Sequence, residues 1–379
     1  MPLLLFFKMM NRFFRVELLV IGSHRFGHLA LEPESALAME TLQRPVSKSR
    51  TFRLWSFGSK KTWSNRELVR AWKRGVHTAP RGFVSALIRA GEIVPSLALH
   101  RGTTSIHGPE NFLDRTPSHL QNYVVASSSE ILRQLGVGAG EPYVCLTIRD
   151  SEHYLKHGTP EPESFRLLNF EAETFALMCQ FLVDEGYTVV RMGTPTRNAL
   201  TDLPGVVDYA NSGLRSPEHD LVLVRDCEFM VSTQTGPDAL ALAFRRKVLY
   251  VDVLRLSQFF LGTRLAVWNP VKIVCPSSES PLSLNDLLNS KFAWMTSLDS
   301  FTASGATVTR SSPLELSELA AGFLEEFRGH VSGDVVELRT QALRMISDEL
   351  DERGRAKWGE IVAPLNSRWL LKNHHWFLT

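Results

Sequence analysis

Glu228–Val253, EFMVSTQTGPDALALAFRRKVLYVDV, decides the reading of the fold. Phe229 to Ser232 is a short apolar run of the kind that fits a strand covered on both faces. A polar loop, Thr233 to Gly236, follows it. Pro237 to Phe244 then has the composition of a helix, with Pro237 suited to the first turn, and Lys247 to Val253 is a second buried strand. Strand, loop, helix, strand is the repeating unit of a parallel sheet, because parallel neighbours can be joined only by a crossover.

Working outward, the alternation continues on the N-terminal side. Tyr143 to Ile148 reads as a strand, Glu171 to Glu185 as a helix, Thr188 to Arg191 and Val206 to Tyr209 as strands, and Pro217 to Arg225 as a helix. Earlier still, Arg15 to Ile21 is an apolar run ended by Gly22, an Ala/Leu/Glu-rich segment reaches Gln43, Phe52 to Phe57 is a second strand, and a helix-like stretch runs to Trp72. The segment SSSEILRQLGV is a serine-capped helix, and the following GAGEP is a turn. A chain of 379 residues is long enough for two cores. The expected fold class is therefore α/β, with two Rossmann-like domains facing each other across a cleft. Residues 1–138 form the first, 139–330 the second, and 331–379 are C-terminal helices.

The apolar share of 44% and charged share of 22% are those of a globular protein, and a formal charge of +2 gives no global bias toward nucleic acid. The four cysteines lie far apart, outside the spacings of zinc or dithiol sites. Residues 1–20 are apolar but broken by Lys8, Arg12, Arg15 and Glu17, so no membrane span is expected and the cytoplasm is the expected location. Between Lys48 and Arg74, nine basic residues face one acid, Glu67, with Trp55, Trp63 and Trp72 interleaved. Such a segment would meet an anionic membrane at its inner face or a lipid-diphosphate acceptor, with single-stranded nucleic acid as the competing partner, or would be a solvated helix face over core tryptophans. Nucleic acid is not expected as a partner.

Three loops at strand ends carry the chemistry, since open parallel sheets bind ligands there. Gly22, His24, Arg25, Gly27 and His28 lie between the first strand and its helix. The glycines would let backbone approach a ligand, and the helix start would attract an anion or sugar hydroxyls. His28 is the candidate general base, His24 its neighbour; the alternative is that they brace the loop. After the Tyr143 strand comes Arg149, which would pair with a diphosphate or with Asp150 or the other domain. Arg191 and Gly193 end the next strand on the same rim. Ser232, Thr233, Gln234, Thr235 and Gly236 would present hydroxyls and amides to a phosphate at a helix N-terminus, with Thr235 as N-cap. No motif asks for a metal or a bound cofactor, and no GxSxG elbow is present.

On CLTIRDSEHYL, FRLLNFEAETF, DEGYTVVRMG, VDYANS and DLVLVRDCEFMVSTQTGPDALA, in that order, and on RFGHLALEPE near the N-terminus, the chain resembles bacterial glycosyltransferases of the GT-B type associated with surface-polysaccharide synthesis. The resemblance covers Val144 to Val253 best. It implies a nucleotide-sugar donor held by Arg149, Arg191, Gly193 and the Ser232–Gly236 loop, a glycan or lipid-linked acceptor near Gly27 and His28, and a C-terminal stretch, Arg368 to Thr379, that packs back on the first domain. One departure is that Phe165, Arg166 and Leu167 stand where the family reads Tyr-Arg-Asn, the asparagine coming later at Asn169. Two other functions fit the same fold: a nucleotide-sugar epimerase or hydrolase, and a non-catalytic subunit of a polysaccharide-assembly complex.

Overall fold

The structure is a computed structural model. It describes residues 2–10, 13–43, 50–101, 112–152, 161, 163–194, 199–200, 203–276, 278, 280–295, 299–350 and 360–379. Two parallel sheets organise it. The first has the order β3-β2-β1-β4, from β1 (Phe14–Val20), β2 (Arg50–Ser56), β3 (His77–Thr78) and β4 (His100–Arg101). The second has six strands in the order β10-β9-β8-β5-β6-β7: β5 (Tyr143–Thr147), β6 (Thr188–Met192), β7 (Val206–Val207), β8 (Phe229–Ser232), β9 (Lys247–Val253) and β10 (Ala266–Pro270). Every pairing in both is parallel, in keeping with the expected α/β class. A two-stranded antiparallel ribbon, Lys272–Val274 with Thr307–Thr309, stands apart.

The alternation of β1 divides the first half into two layers. Val16 and Leu18 point into a small core with Phe7, Leu54, Val84 and Leu87, roofed by helices α1 (Pro2–Met10) and α4 (Arg81–Ile93). Leu19, with Trp55 of β2, points the other way, into a core that runs without a break into the second half. Helix α2 (Phe26–Gln43) lies in that continuous core, and every residue from Leu29 to Ala38 is buried. A helix buried all round must satisfy its polar groups internally. Pro33, inside it, has no N–H to give Leu29 O, and the indole of Trp72, from helix α3 (Arg66–Trp72), donates to that oxygen instead at 2.9 Å.

Helix α2 packs along the Gly236–Ala243 helix that follows β8. At one end, a Cβ on Gly27 would meet Ala239 Cβ at 3.3 Å, and one on Gly236 would meet Phe26 Cβ at 3.2 Å. Further along, the buried Glu34 pairs with Arg245 at 2.8 Å. Both contacts run in the same chain direction, so the two helices are side by side and parallel, with their N-termini together. Arg225 reaches Val124 O at 2.9 Å, Asn65 reaches Pro217 O at 2.9 Å, and Thr263 reaches Asp114 at 2.6 Å, which ties the halves at further points.

The Ser367–Phe377 helix packs on the Pro313–Phe327 and Gly333–Asp348 helices. Asn366 donates to Leu319 O at 2.8 Å, Ser367 to Gly322 O at 3.1 Å, and Leu365 bridges to Trp268 of β10. Gly322 allows this approach, since a Cβ there would stand 2.9 Å from polar atoms of Asn366 and Ser367.

Candidate functional site

The carboxyl ends of β1, β5 and β8 meet where the two parallel helices begin. In the first loop, Ser23 is buried, donates to Phe57 O, and accepts the Ser64 N–H at 2.9 Å, so the turn after β1 is tied to the turn after β2. His24 and Arg25 are exposed beside it. Helix α2 starts at Phe26, so Gly27 and His28 belong to its first turn rather than to a loop. Gly27 faces the second half, where it gives the close approach to Ala239 and Gly236.

His28 is half-buried, and its Nδ1 stands 2.8 Å from Glu32 Oε1, one turn along α2. The other carboxylate oxygen accepts the Gly22 N–H at 2.8 Å. Glu32 is buried, so one carboxylate fixes both the turn glycine and the imidazole. With Nδ1–H given to Glu32, the lone pair is on Nε2, and the carboxylate stabilises an imidazolium once a proton arrives there. This is how a histidine is held as a base. Glu32 lies in the sequence at i+4 from His28, and that spacing is the signal that could have found it.

The facing loops come from β5 and β8. Thr233 Oγ1 accepts the Arg149 N–H at 2.8 Å, and the Thr235 hydroxyl donates to Thr147 Oγ1 at 2.8 Å, so the two strand ends are cross-linked by hydroxyls. Ser232 Oγ and the Thr235 N–H both donate to Asp238 Oδ2, at 2.9 and 2.8 Å, which caps the Gly236–Ala243 helix. Burial pushes the Asp238 carboxyl up to about 7. Ser232 and Thr233 are buried within this network, while Thr235 is half-buried and Gly236 exposed. Gln234 has φ +60° and Asp252, at the end of β9, has φ +51°. Left-handed backbone at non-glycine residues is costly, and both of these sit on the rim where a ligand would lie.

Arg149 is half-buried on this rim. Its carbonyl accepts the Phe170 N–H at 2.9 Å, and the Phe170 ring carries the Arg310 guanidinium at 4.1 Å. Arg255, two residues past β9, is close enough to feel the Arg149 charge: burial first, and then that like charge, lower its pKa. Burial likewise lowers Arg310. Three guanidinium groups thus gather at the ends of β5 and β9. Arg255 and Arg310 were not found from the sequence, although Arg255 follows a strand end and the rim rule applies to it as well.

Arg191 goes elsewhere. It is 1% exposed, pairs with Asp208 at 3.1 Å and stands 4.0 Å from Asp150, so its charge is engaged inside the protein. Asp150 is therefore a neighbour of Arg191. Gly193, at φ +119°, makes the turn after β6 that a side chain would strain. Asn169 donates to Glu161 at 3.0 Å, and Arg166 is exposed. In the basic segment Trp55 and Trp72 are fully buried, Arg53 pairs with Glu40, and Lys60, Lys61, Arg66, Arg70, Lys73 and Arg74 are exposed; Lys48 lies outside the described residues. Among the described residues, no group of three or more His, Cys, Asp or Glu side chains could hold a metal ion, and no helix is long and apolar enough to cross a membrane.

No protein-family model and no curated protein matches the chain. Among solved structures, a glycosyl transferase of family 9 from Veillonella parvula is similar at 9% identity and a TM-score of 0.39, over 68% of this chain and 86% of that one. ADP-heptose LPS heptosyltransferase II of E. coli is similar at 12% identity and a TM-score of 0.36, over 62% and 84%. The iron-containing dodecameric glycosyltransferase TibC of enterotoxigenic E. coli is similar at 14% identity and a TM-score of 0.35, over 68% and 63%. At these scores the likenesses assign neither donor nor acceptor to this chain.

Proposed function

We propose that the chain is a glycosyltransferase of the GT-B type, moving a sugar from a nucleotide-activated donor to an acceptor hydroxyl on a glycan or lipid-linked glycan in the cytoplasm. The observation that carries this reading is the side-by-side start of α2 and the Gly236–Ala243 helix, with the His28–Glu32 pair on one and the Arg149 and Thr233 strand ends beside the other. Two helix N-termini at one point make a positive focus suited to a diphosphate, and the arginines add to it. A base one residue past the contact is what an incoming hydroxyl needs.

In this mechanism the donor diphosphate lies against the Thr235–Gly236 turn and Arg149. The acceptor oxygen bonds to the anomeric carbon as the bond from that carbon to the diphosphate oxygen breaks. His28 Nε2 takes the hydroxyl proton, and Glu32 stabilises the resulting imidazolium. Arg149 and Arg255 stabilise the charge left on the departing nucleoside diphosphate, which makes the reaction, on this reading, independent of a metal ion. Arg191 and Gly193 then support the rim from behind.

The test is a thermal-shift series with UDP, GDP, CDP and ADP and their sugar conjugates, on the wild type and Arg149→Ala. A ligand at about 100 times its Kd stabilises by about 2.7 kcal/mol. A shift with one nucleotide that Arg149→Ala abolishes is expected. No shift with any of them would sink the donor site and leave the non-catalytic subunit, while free sugar released without acceptor would make the chain a hydrolase.

A further inference from the structure

Among the described residues, the outer layer of the first half exposes several large apolar side chains. On α1, Leu5, Phe6 and Met9 are 47, 55 and 69% exposed, and Phe13, in the turn that leads to β1, is 75% exposed. Ile93, at the end of α4 just before the Pro95–Leu97 turn that packs on α1, is 80% exposed. Phe7 of the same helix is buried against Val16 and Leu18, so α1 is held in place by one face and offers apolar side chains on the other. Scattered exposed apolar residues are ordinary, but a group of large ones on one short helix and its neighbour is a binding surface.

Charge says what covers it. Residues 1–138 carry 19 Lys and Arg against 9 Asp and Glu, a net +10, whereas residues 139–379 carry 23 against 31, a net −8. The overall +2 conceals this polarity. Lys8 lies on α1, and Arg81 and Arg89 are exposed on α4 of the same layer; Glu92 is the exposed acid there and stands 3.7 Å from Arg101. An apolar face in a strongly basic half is complementary to an anionic lipid surface, where acyl chains take the apolar groups and headgroups take the charge. The α1 layer covers the sheet face opposite α2, so a membrane held there leaves the seam between the halves in water.

We infer that the exposed face of α1, with Phe6, Met9 and Phe13, docks the first half on an anionic bilayer by shallow insertion. The basic segment has exposed cations but keeps Trp55 and Trp72 inside, and its half-buried Trp63 lies beneath the Lys73 ammonium at 4.9 Å, so what it chiefly presents is charge.

The experiment is flotation of the full chain with phosphatidylglycerol vesicles and with phosphatidylcholine vesicles. It is run on the wild type, on Phe6→Ser/Met9→Ser/Phe13→Ser, and on the single change Met9→Glu. Thermal unfolding of each checks that Phe7 still holds the helix. The wild type should float with the anionic vesicles only, weaken as salt rises, and bind at least about tenfold better than the triple variant, with Met9→Glu between. A wild type that stays down with both vesicles overturns the inference, and so does a folded triple variant that floats equally well. A wild-type dimer that the triple variant converts to monomer, without vesicle binding, would also overturn it, because the face would then be a contact between copies.

Discussion

His28 Nδ1 and Glu32 Oε1 are 2.8 Å apart on consecutive turns of one buried helix, and the same carboxylate holds the Gly22 N–H. Imidazole orientation and loop shape therefore depend on one side chain. His28→Ala is expected to lower kcat by about 10² to 10⁴ with donor affinity unchanged. Glu32→Gln, which still has an oxygen for the Gly22 N–H, should lower kcat less. Steady-state rates and donor titrations check this, and a His28→Ala enzyme within twofold of wild type would put the base elsewhere.

Arg149→Ala should weaken donor binding by about 1.5 to 3 kcal/mol, the range for a hydrogen bond to a charged group, or roughly 10- to 150-fold in Kd. Arg255→Ala should weaken it in the same direction. Arg191→Ala should instead cost stability, because it removes a fully buried guanidinium paired with Asp208 and leaves a cavity behind β6. Calorimetric titration and denaturant unfolding separate the two outcomes; equal loss of binding in a stably folded Arg191→Ala would bring that residue back to the donor.

Trp72→Phe should destabilise by about 1 to 3 kcal/mol, since it leaves Leu29 O without a donor inside the core. Pro33→Ala supplies an N–H to that same oxygen. The double variant should therefore be more stable than Trp72→Phe alone, a non-additivity that urea unfolding of the three proteins would reveal or refute.

Asp238 gives a pH signature. A carboxyl raised from 3.8 to about 7 keeps its proton in the folded chain while the unfolded chain releases it. Its contribution is full below about pH 4 and is lost as pH rises through about 7. Asp238→Asn, which cannot ionise, should gain on the wild type across that window, by up to about 4 kcal/mol at 1.36 kcal/mol per unit. Unfolding free energies at pH 4, 5, 6 and 7 would show parallel curves if the carboxyl is not raised.

The sequence made the central strands easy to find. β5, β8 and β9 are largely apolar, with Tyr143–Leu146, Phe229–Val231 and Val248–Val251 continuous, and a strand covered on both faces needs such a run. The end of the polypeptide was harder. The Ser367–Phe377 helix has an apolar face, but periodicity does not say which neighbour receives it. β3 and β4, at two residues each, are too short for any period, and α1 is apolar along most of its length, so its buried and exposed faces look alike. At the site, the loops after β1, β5 and β8 followed from the rule that ligands meet strand ends. The burial of Glu32 and Glu34 has no sequence signal, because nothing in an Ala/Leu/Glu-rich stretch marks a helix that is covered on all sides. Arg191 reads as a rim residue by position, and only the fold brings Asp208 to it.

The seating of α2 bears on how this protein could be rebuilt. A cut near residue 138 would divide the chain in sequence but would open the middle of a shared interior, baring Leu29 to Ala38 on one fragment and the Ala239–Ala243 face on the other. Neither piece would be a transplantable module. A chimera that borrows its second half from another protein would have to import a matching α2 with it, glycine contact and Glu34–Arg245 latch included.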